Sequence, residues 1–170
     1  MDTPAGVIFH TIFLSEIFTL AAFWMVFLAI RHKKVYPVNE RSMRMGFWIY
    51  MLAVDLLIPL SMLFLGRRFQ ACAPKNINLL FGYRTAMSTK NQDTWQFAHR
   101  IFGRLWWRWG WVTLAATLLG MLLVLGKPVG TVGAVGGWLC AAQLVPMLGV
   151  ILPVERALRR TFDKDGNRKN

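Results

Sequence analysis

Three sets of residues in this 170-residue sequence have types that could do chemistry, and their spacing decides between the possibilities. The first is Phe81-Gly82-Tyr83-Arg84-Thr85, followed along the chain by His99 and Arg100. A guanidinium is planar and permanently charged, so Arg84 suits a carboxylate or a phosphate. Gly82 beside it allows backbone angles that other residues avoid. Arg84 and Arg100 could bracket a lipid phosphate on which His99 acts; alternatively, Arg84 satisfies backbone carbonyls and docks its loop against helix ends. The second set is Glu16, Asp55 and Gln143, each inside an otherwise apolar run. An acid at such a depth is costly and is expected to face the bundle interior. With no Lys or Arg at that level, the two acids would share a proton, be neutral or bind a cation. The other reading is a hydrogen-bonded clasp between helices. The third set, Cys72, Cys140 and the histidines His10, His32 and His99, has no metal-ligand spacing. No nucleophile elbow, P-loop or dinucleotide fingerprint occurs, so support for catalysis is thin and no cofactor is expected.

The elements that must position these groups are long apolar helices. Hydrophobic residues make up 55% of the chain, and the apolar runs are long enough to cross a bilayer. Four spans are expected, at about 7–30, 45–65, 109–125 and 131–152, within a single membrane domain covering 1–170. Met1 to Gly6 lacks the basic residues of a secretory signal. Between the second and third spans, residues 70–108 should form a loop and then a helix. Ser88 or Thr89 would cap that helix, with Thr89 and Gln92 as a capping box. On it Trp95, Phe102, Leu105 and Trp109 fall near heptad spacing, beside a polar stripe of Gln96, Arg100, Arg104 and Arg108. Trp-rich and Arg-striped helices suit the boundary between lipid and water, so this one is expected to lie on the membrane surface. Trp106, Trp107, Trp109 and Trp111 read as interface anchors. Gly133, Gly137 and Ala141 leave one face of the fourth span nearly bare, which invites close packing by another span or a second copy of the chain. Pro153 should end that span, and the polar stretch from Asp163 to Asn170 should fray. The fold class is therefore all-α: a polytopic protein of two helical hairpins joined by an amphipathic interfacial helix.

Asn78-x3-Gly82-Tyr83-Arg84-Thr85, followed by Asn91-x3-Trp95-x2-Ala98-His99-Arg100-x2-Gly103, resembles the SdpI family of bacterial membrane proteins. Ala86 stands where many relatives carry Pro, which implies a less rigid turn. The resemblance implies helical hairpins flanking a cytoplasmic motif loop, with Asn78, Asn91 and Trp95 bracing it. It further implies immunity to a secreted peptide toxin and, as in the founding member, recruitment of a transcriptional repressor to the membrane.

The formal net charge of +12 raises the question of nucleic acid. The Lys and Arg residues crowd the ends of the apolar runs, however, so anionic lipid headgroups are the expected partner and direct nucleic-acid binding is not. Eight basic residues from Arg67 to Arg108 and six after Leu152 would share one side, against five between Arg31 and Arg44 plus Lys127 on the other. The positive-inside rule then places both termini and the Gly82–Thr85 loop in the cytoplasm of a bacterial plasma-membrane protein. Three functions follow as expectations: toxin immunity or signalling through that loop; a small proton- or cation-linked carrier using Glu16, Asp55 and Gln143; and a lipid-phosphate binder or enzyme centred on Arg84.

Overall fold

A computed structural model describes residues 39–71, 75, 77 and 82–169. The expected first span, with His10 and Glu16, lies outside the described residues, as do Cys72 and Asn78. Helix α1, Glu40–Ala71, opens with Glu40 and closes with Arg68, charges that complement its dipole. Helix α2 is Gln92–Leu123, α3 is Val129–Gly149 and α4 is Ile151–Thr161. No strand occurs among the described residues, where the one β-type pairing is an isolated bridge between Phe162 and Arg168.

The segment expected to form a separate surface helix differs from that expectation. Residues 92–108 are the first half of α2, which runs on unbroken through the expected third span to Leu123. The buried residues of this half are Thr94, Trp95, Ala98, His99, Phe102, Gly103 and Trp106. That set repeats every three to four residues and faces protein, while Arg100, Arg104 and Arg108 face outward. Of the residues sharing the apolar face by heptad spacing, Trp95 and Phe102 are buried while Trp109 is 45% exposed, as suits an interface anchor. Trp106, expected as an interface anchor, is buried and donates its indole N–H to the Met147 carbonyl at 3.2 Å.

Helices α1 and α2 run antiparallel in contact along most of their length. Trp48 donates from its indole to the Met121 carbonyl at one end, and Gly66 meets Gly103 at the other. A Cβ on Gly103 would sit 2.7 Å from the Gly66 carbonyl oxygen, so both residues must be bare for the backbones to approach. At 32 residues each, these helices are about 48 Å long, well beyond the ~30 Å of a bilayer's apolar core. Among the described residues, two stretches are long and apolar enough to cross a membrane, Glu40–Ala71 and Val129–Thr161. Only 39% and 22% of their apolar windows are buried, whereas a soluble core helix would be mostly covered. Phe64, Leu123, Trp138 and Val145 each stand more than 70% exposed.

The close approach of α3 does not use its expected Gly133–Gly137–Ala141 face. A Cβ on Gly137 would meet nothing within 4 Å, and one on Gly133 would only touch the Phe47 ring. Gly136 is the pressed residue: its Cβ would lie 3.0 Å from Asp55 Oδ2 and would strike the Met51 side chain. The inward face is thus Val132, Gly136, Gln143 and Met147. Pro153 does not end the helical path. It falls in the first turn of α4, where no intrahelical acceptor is lost, and the axis is interrupted only at Val150.

The packed core continues past the apolar spans. Phe69, Tyr83, Phe102, Val154, Leu158 and Phe162 are all at most 6% exposed and form a head at one end of the bundle. The tail, expected to fray, closes this head. Lys169 donates its backbone N–H to the Thr161 carbonyl, and Phe162 is buried against Phe97 with ring centroids 5.3 Å apart. Asp163 holds the turn by accepting from the backbone N–H of Asp165 and Asn167 at 2.9 and 2.8 Å. Those bonds, the Asn167 one foremost, hold its carboxyl below the usual range.

Candidate functional site

The motif loop lies in the head, between the end of α1 and the start of α2. Its geometry begins at Gly82, whose φ of +119° belongs to the region that favours glycine. Any Cβ there would collide with the His99 imidazole. The bare backbone lets the next amide, Tyr83 N–H, donate to His99 Nε2 at 2.9 Å. An amide N–H can only donate, so Nε2 is the acceptor and the ring proton sits on Nδ1. Nδ1 in turn lies 2.8 Å from the Trp95 carbonyl, to which it donates. His99 is fully buried, its ring tilted against Trp95 at 4.2 Å and edge-on to Phe69 at 5.0 Å. Burial pushes its imidazole down to about 4, against a smaller upward pull from the Trp95 carbonyl. A neutral histidine is therefore the pin that fixes Gly82 and Tyr83 on α2.

Tyr83 carries the loop across to α4. Its ring packs on Phe102 at 5.1 Å, and its hydroxyl reaches Glu155 Oε1 at 3.2 Å. Burial first, then the Glu155 charge, raises the phenol above its ordinary value, so Tyr83 is a donor here and not a base. Arg84 follows, 4% exposed, its guanidinium enclosed by the head. Thr85 then closes a reciprocal turn with Ser88: Thr85 N–H donates to Ser88 Oγ at 2.8 Å, and Ser88 N–H donates to Thr85 Oγ1 at 3.2 Å. Ser88 Oγ also donates to the Tyr83 carbonyl at 3.1 Å. These bonds supply the stiffness that a proline at position 86 would otherwise give.

The start of α2 is set two or three residues later than expected. Asn91, not Ser88 or Thr89, is the N-cap, and Thr94 completes the capping box in place of Gln92. Thr94 N–H donates to Asn91 Oδ1 at 2.9 Å, and Asn91 N–H to Thr94 Oγ1 at 3.1 Å. Asn91 Nδ2 donates to the Gly166 carbonyl at 2.7 Å, which ties the C-terminal turn to the same cap. Asn91 thus braces both loop and tail. Gly103 serves the α1–α2 crossing described above, and Arg100 is exposed on the outer side of α2. His99 has committed both nitrogens inside, so the expected pairing of His99 and Arg100 on one phosphate is not assembled.

Sequence reasoning missed Thr94, Glu155 and Gly166, and gave Ser88 the role of a helix cap. Two of these had local signals. Thr85-x-x-Ser88 has the spacing of a hydroxyl turn, and Asn91-x-x-Thr94 that of a helix cap. Asp163-Lys164-Asp165-Gly166-Asn167 is turn chemistry, though nothing local shows what the turn packs against.

Within the apolar bundle the structure brings Asp55 and Gln143 together. Gln143 Nε2 donates to Thr117 Oγ1 at 2.7 Å and lies 3.2 Å from the Asp55 main-chain carbonyl. The Asp55 carboxyl is wholly buried, and the Cys140 thiol approaches it. A thiol is a weak, single donor, and no nitrogen or oxygen donor among the described residues reaches Asp55 Oδ1, Oδ2 or Gln143 Oε1. Three acceptor atoms are gathered there without a matching set of donors.

Residues 75–154 of the chain match the SdpI/YfhL protein family. No curated protein and no solved structure matches it.

Proposed function

The chain belongs to the SdpI/YfhL protein family, and from that premise we propose that it gives bacteria immunity or tolerance to a membrane-active peptide toxin. In this reading it crosses the plasma membrane several times, with both termini and the Gly82–Thr85 loop in the cytoplasm. The loop's head is then the face that signals inward, and a cytoplasmic repressor is its partner. The observation that carries the reading is the pinned Gly82-Tyr83-Arg84-Thr85 loop. Backbone and side-chain bonds from α2 and α4 hold it in one conformation, and pre-organisation of that kind suits recognition. The test is toxin challenge of sensitive cells expressing the chain. Wild type should raise the tolerated dose, and Arg84→Ala at equal membrane abundance should not. Full protection by Arg84→Ala would remove the loop from the function.

The unmatched acceptors at Asp55 and Gln143 favour a second reading, a small proton- or cation-linked carrier. Reconstituted vesicles should then show proton- or cation-dependent flux that Asp55→Asn abolishes while the protein stays folded. A lipid-phosphate enzyme centred on Arg84 and His99 gains no support from this geometry, since both side chains are enclosed.

A further inference from the structure

We infer that Arg67, Arg104 and Arg108, with Trp107 and Trp111, form a binding site for the phosphodiester headgroup of an anionic glycerophospholipid. The site sits where α1 and α2 cross at the base of the head. Gly66 presses on the backbone there: a Cβ on it would lie 2.7 Å from the Trp107 amide nitrogen and 3.1 Å from the Gly103 carbonyl oxygen. The crossing brings Arg67 over the Trp107 ring, its Cζ 5.8 Å from the ring centroid. Positions 104, 107, 108 and 111 of α2 are three or four residues apart and so share one helix face. On that face Trp107 and Trp111 meet edge to face at 5.7 Å, with Arg104 and Arg108 exposed beside them.

Three guanidinium charges are therefore gathered with no anionic side chain among the described residues paired to them. The ion pairs among the described residues are Arg44 with Glu40 and Arg159 with Glu155, neither of which touches this patch. Like charges four residues apart on a helix repel, so Arg104 and Arg108 side by side call for an external anion. Guanidinium groups bind phosphate oxygens through paired N–H donors, and indole rings favour the headgroup level. The depth also fits. The apolar run of α1 ends at Leu65 and that of α2 begins at Trp109, so the patch spans the step from apolar to charged sequence. Phe64, one helical turn before Arg67 (72% exposed), and Val112, next to Trp111 (56% exposed), offer an apolar flank for acyl chains. A soluble phosphate would use the charges and leave that flank bare; a lipid uses both. The site requires that the chain crosses a bilayer, and it does not depend on any toxin.

The test is native mass spectrometry of the purified full chain in detergent, titrated with phosphatidylglycerol or phosphatidylcholine. Wild type should retain phosphatidylglycerol at least about tenfold better, since each arginine near a membrane surface adds appreciable attraction to anionic lipid. The Arg67→Gln/Arg104→Gln/Arg108→Gln variant should lose that preference. An Arg156→Gln/Arg160→Gln/Lys164→Gln control, with the same charge removed from the exposed side of the head and tail, should keep it. Equal retention by the patch variant, or equal loss in the control, overturns the site. Displacement of the lipid by glycerol phosphate at equal concentration overturns the lipid as its occupant. If the triple variant does not fold, Arg104→Gln and Arg108→Gln singly, both at exposed positions, should each weaken phosphatidylglycerol retention; wild-type retention by both overturns the site.

Discussion

Acidification should release the motif loop by protonating His99, and the size of the effect follows from the site. His99 holds Tyr83 N–H on Nε2, a bond that exists only while that nitrogen is unprotonated. Its value falls from an ordinary 6.5 to about 4 in the folded chain, with burial as the main cause. The unfolded chain therefore takes up a proton at a higher pH than the folded one. The stabilisation is complete above about pH 6.5 and is lost progressively as pH falls toward 4. A difference of ~2.5 units at 1.36 kcal/mol each corresponds to about 3 kcal/mol. The assay is denaturant unfolding in detergent at steps from pH 7.5 to pH 4, comparing wild type with His99→Gln. Glutamine can offer an acceptor to Tyr83 but does not titrate. Carboxylates titrate in both proteins, so the difference between the two curves isolates His99. Wild type should lose about 3 kcal/mol more than the variant across this interval. Parallel curves, or a His99 resonance titrating near 6.5, would refute the argument that burial keeps this ring neutral.

Other perturbations probe separate parts of the molecule. Gly103→Ala drives a methyl group into the Gly66 carbonyl and should cost about 1–3 kcal/mol, read as a lower unfolding temperature in detergent. Asn91→Ala removes a helix cap, worth about 1 kcal/mol, and also the bond to Gly166; limited trypsin digestion should then cut at Lys164 or Arg168 faster than in wild type. Thr117→Val takes away the shorter acceptor of the Gln143 amide and should cost about 1 kcal/mol, with little further loss when Gln143→Leu is added. Additive losses would show that the two side chains do not act as a pair.

The helical class, the positions of α1 and α3, the basic flanks and the motif could be read from the sequence alone. They are properties of composition, run length and local spacing, and these act over a few residues. The shared depth of Asp55 and Gln143 was legible for the same reason, since rise per residue converts position into height. The face each helix presents was not. Gly136 rather than Gly137 meets α1, and Trp106 rather than Trp109 turns inward, because the rotation of a helix is decided by its neighbours. Nor could the sequence show that residues 92–108 continue into the following span. An Arg-striped, Trp-rich helix has the same pattern whether its apolar side meets lipid or protein, and here Phe69, Tyr83 and the α4 residues Val154 and Leu158 supply protein. The environment of Arg84 and His99 likewise came from tertiary structure. Gly82 and Trp95 close on His99, and Glu155 of α4 holds Tyr83 next to Arg84, so two polar side chains from separate parts of the chain are buried where spacing gives no sign of it.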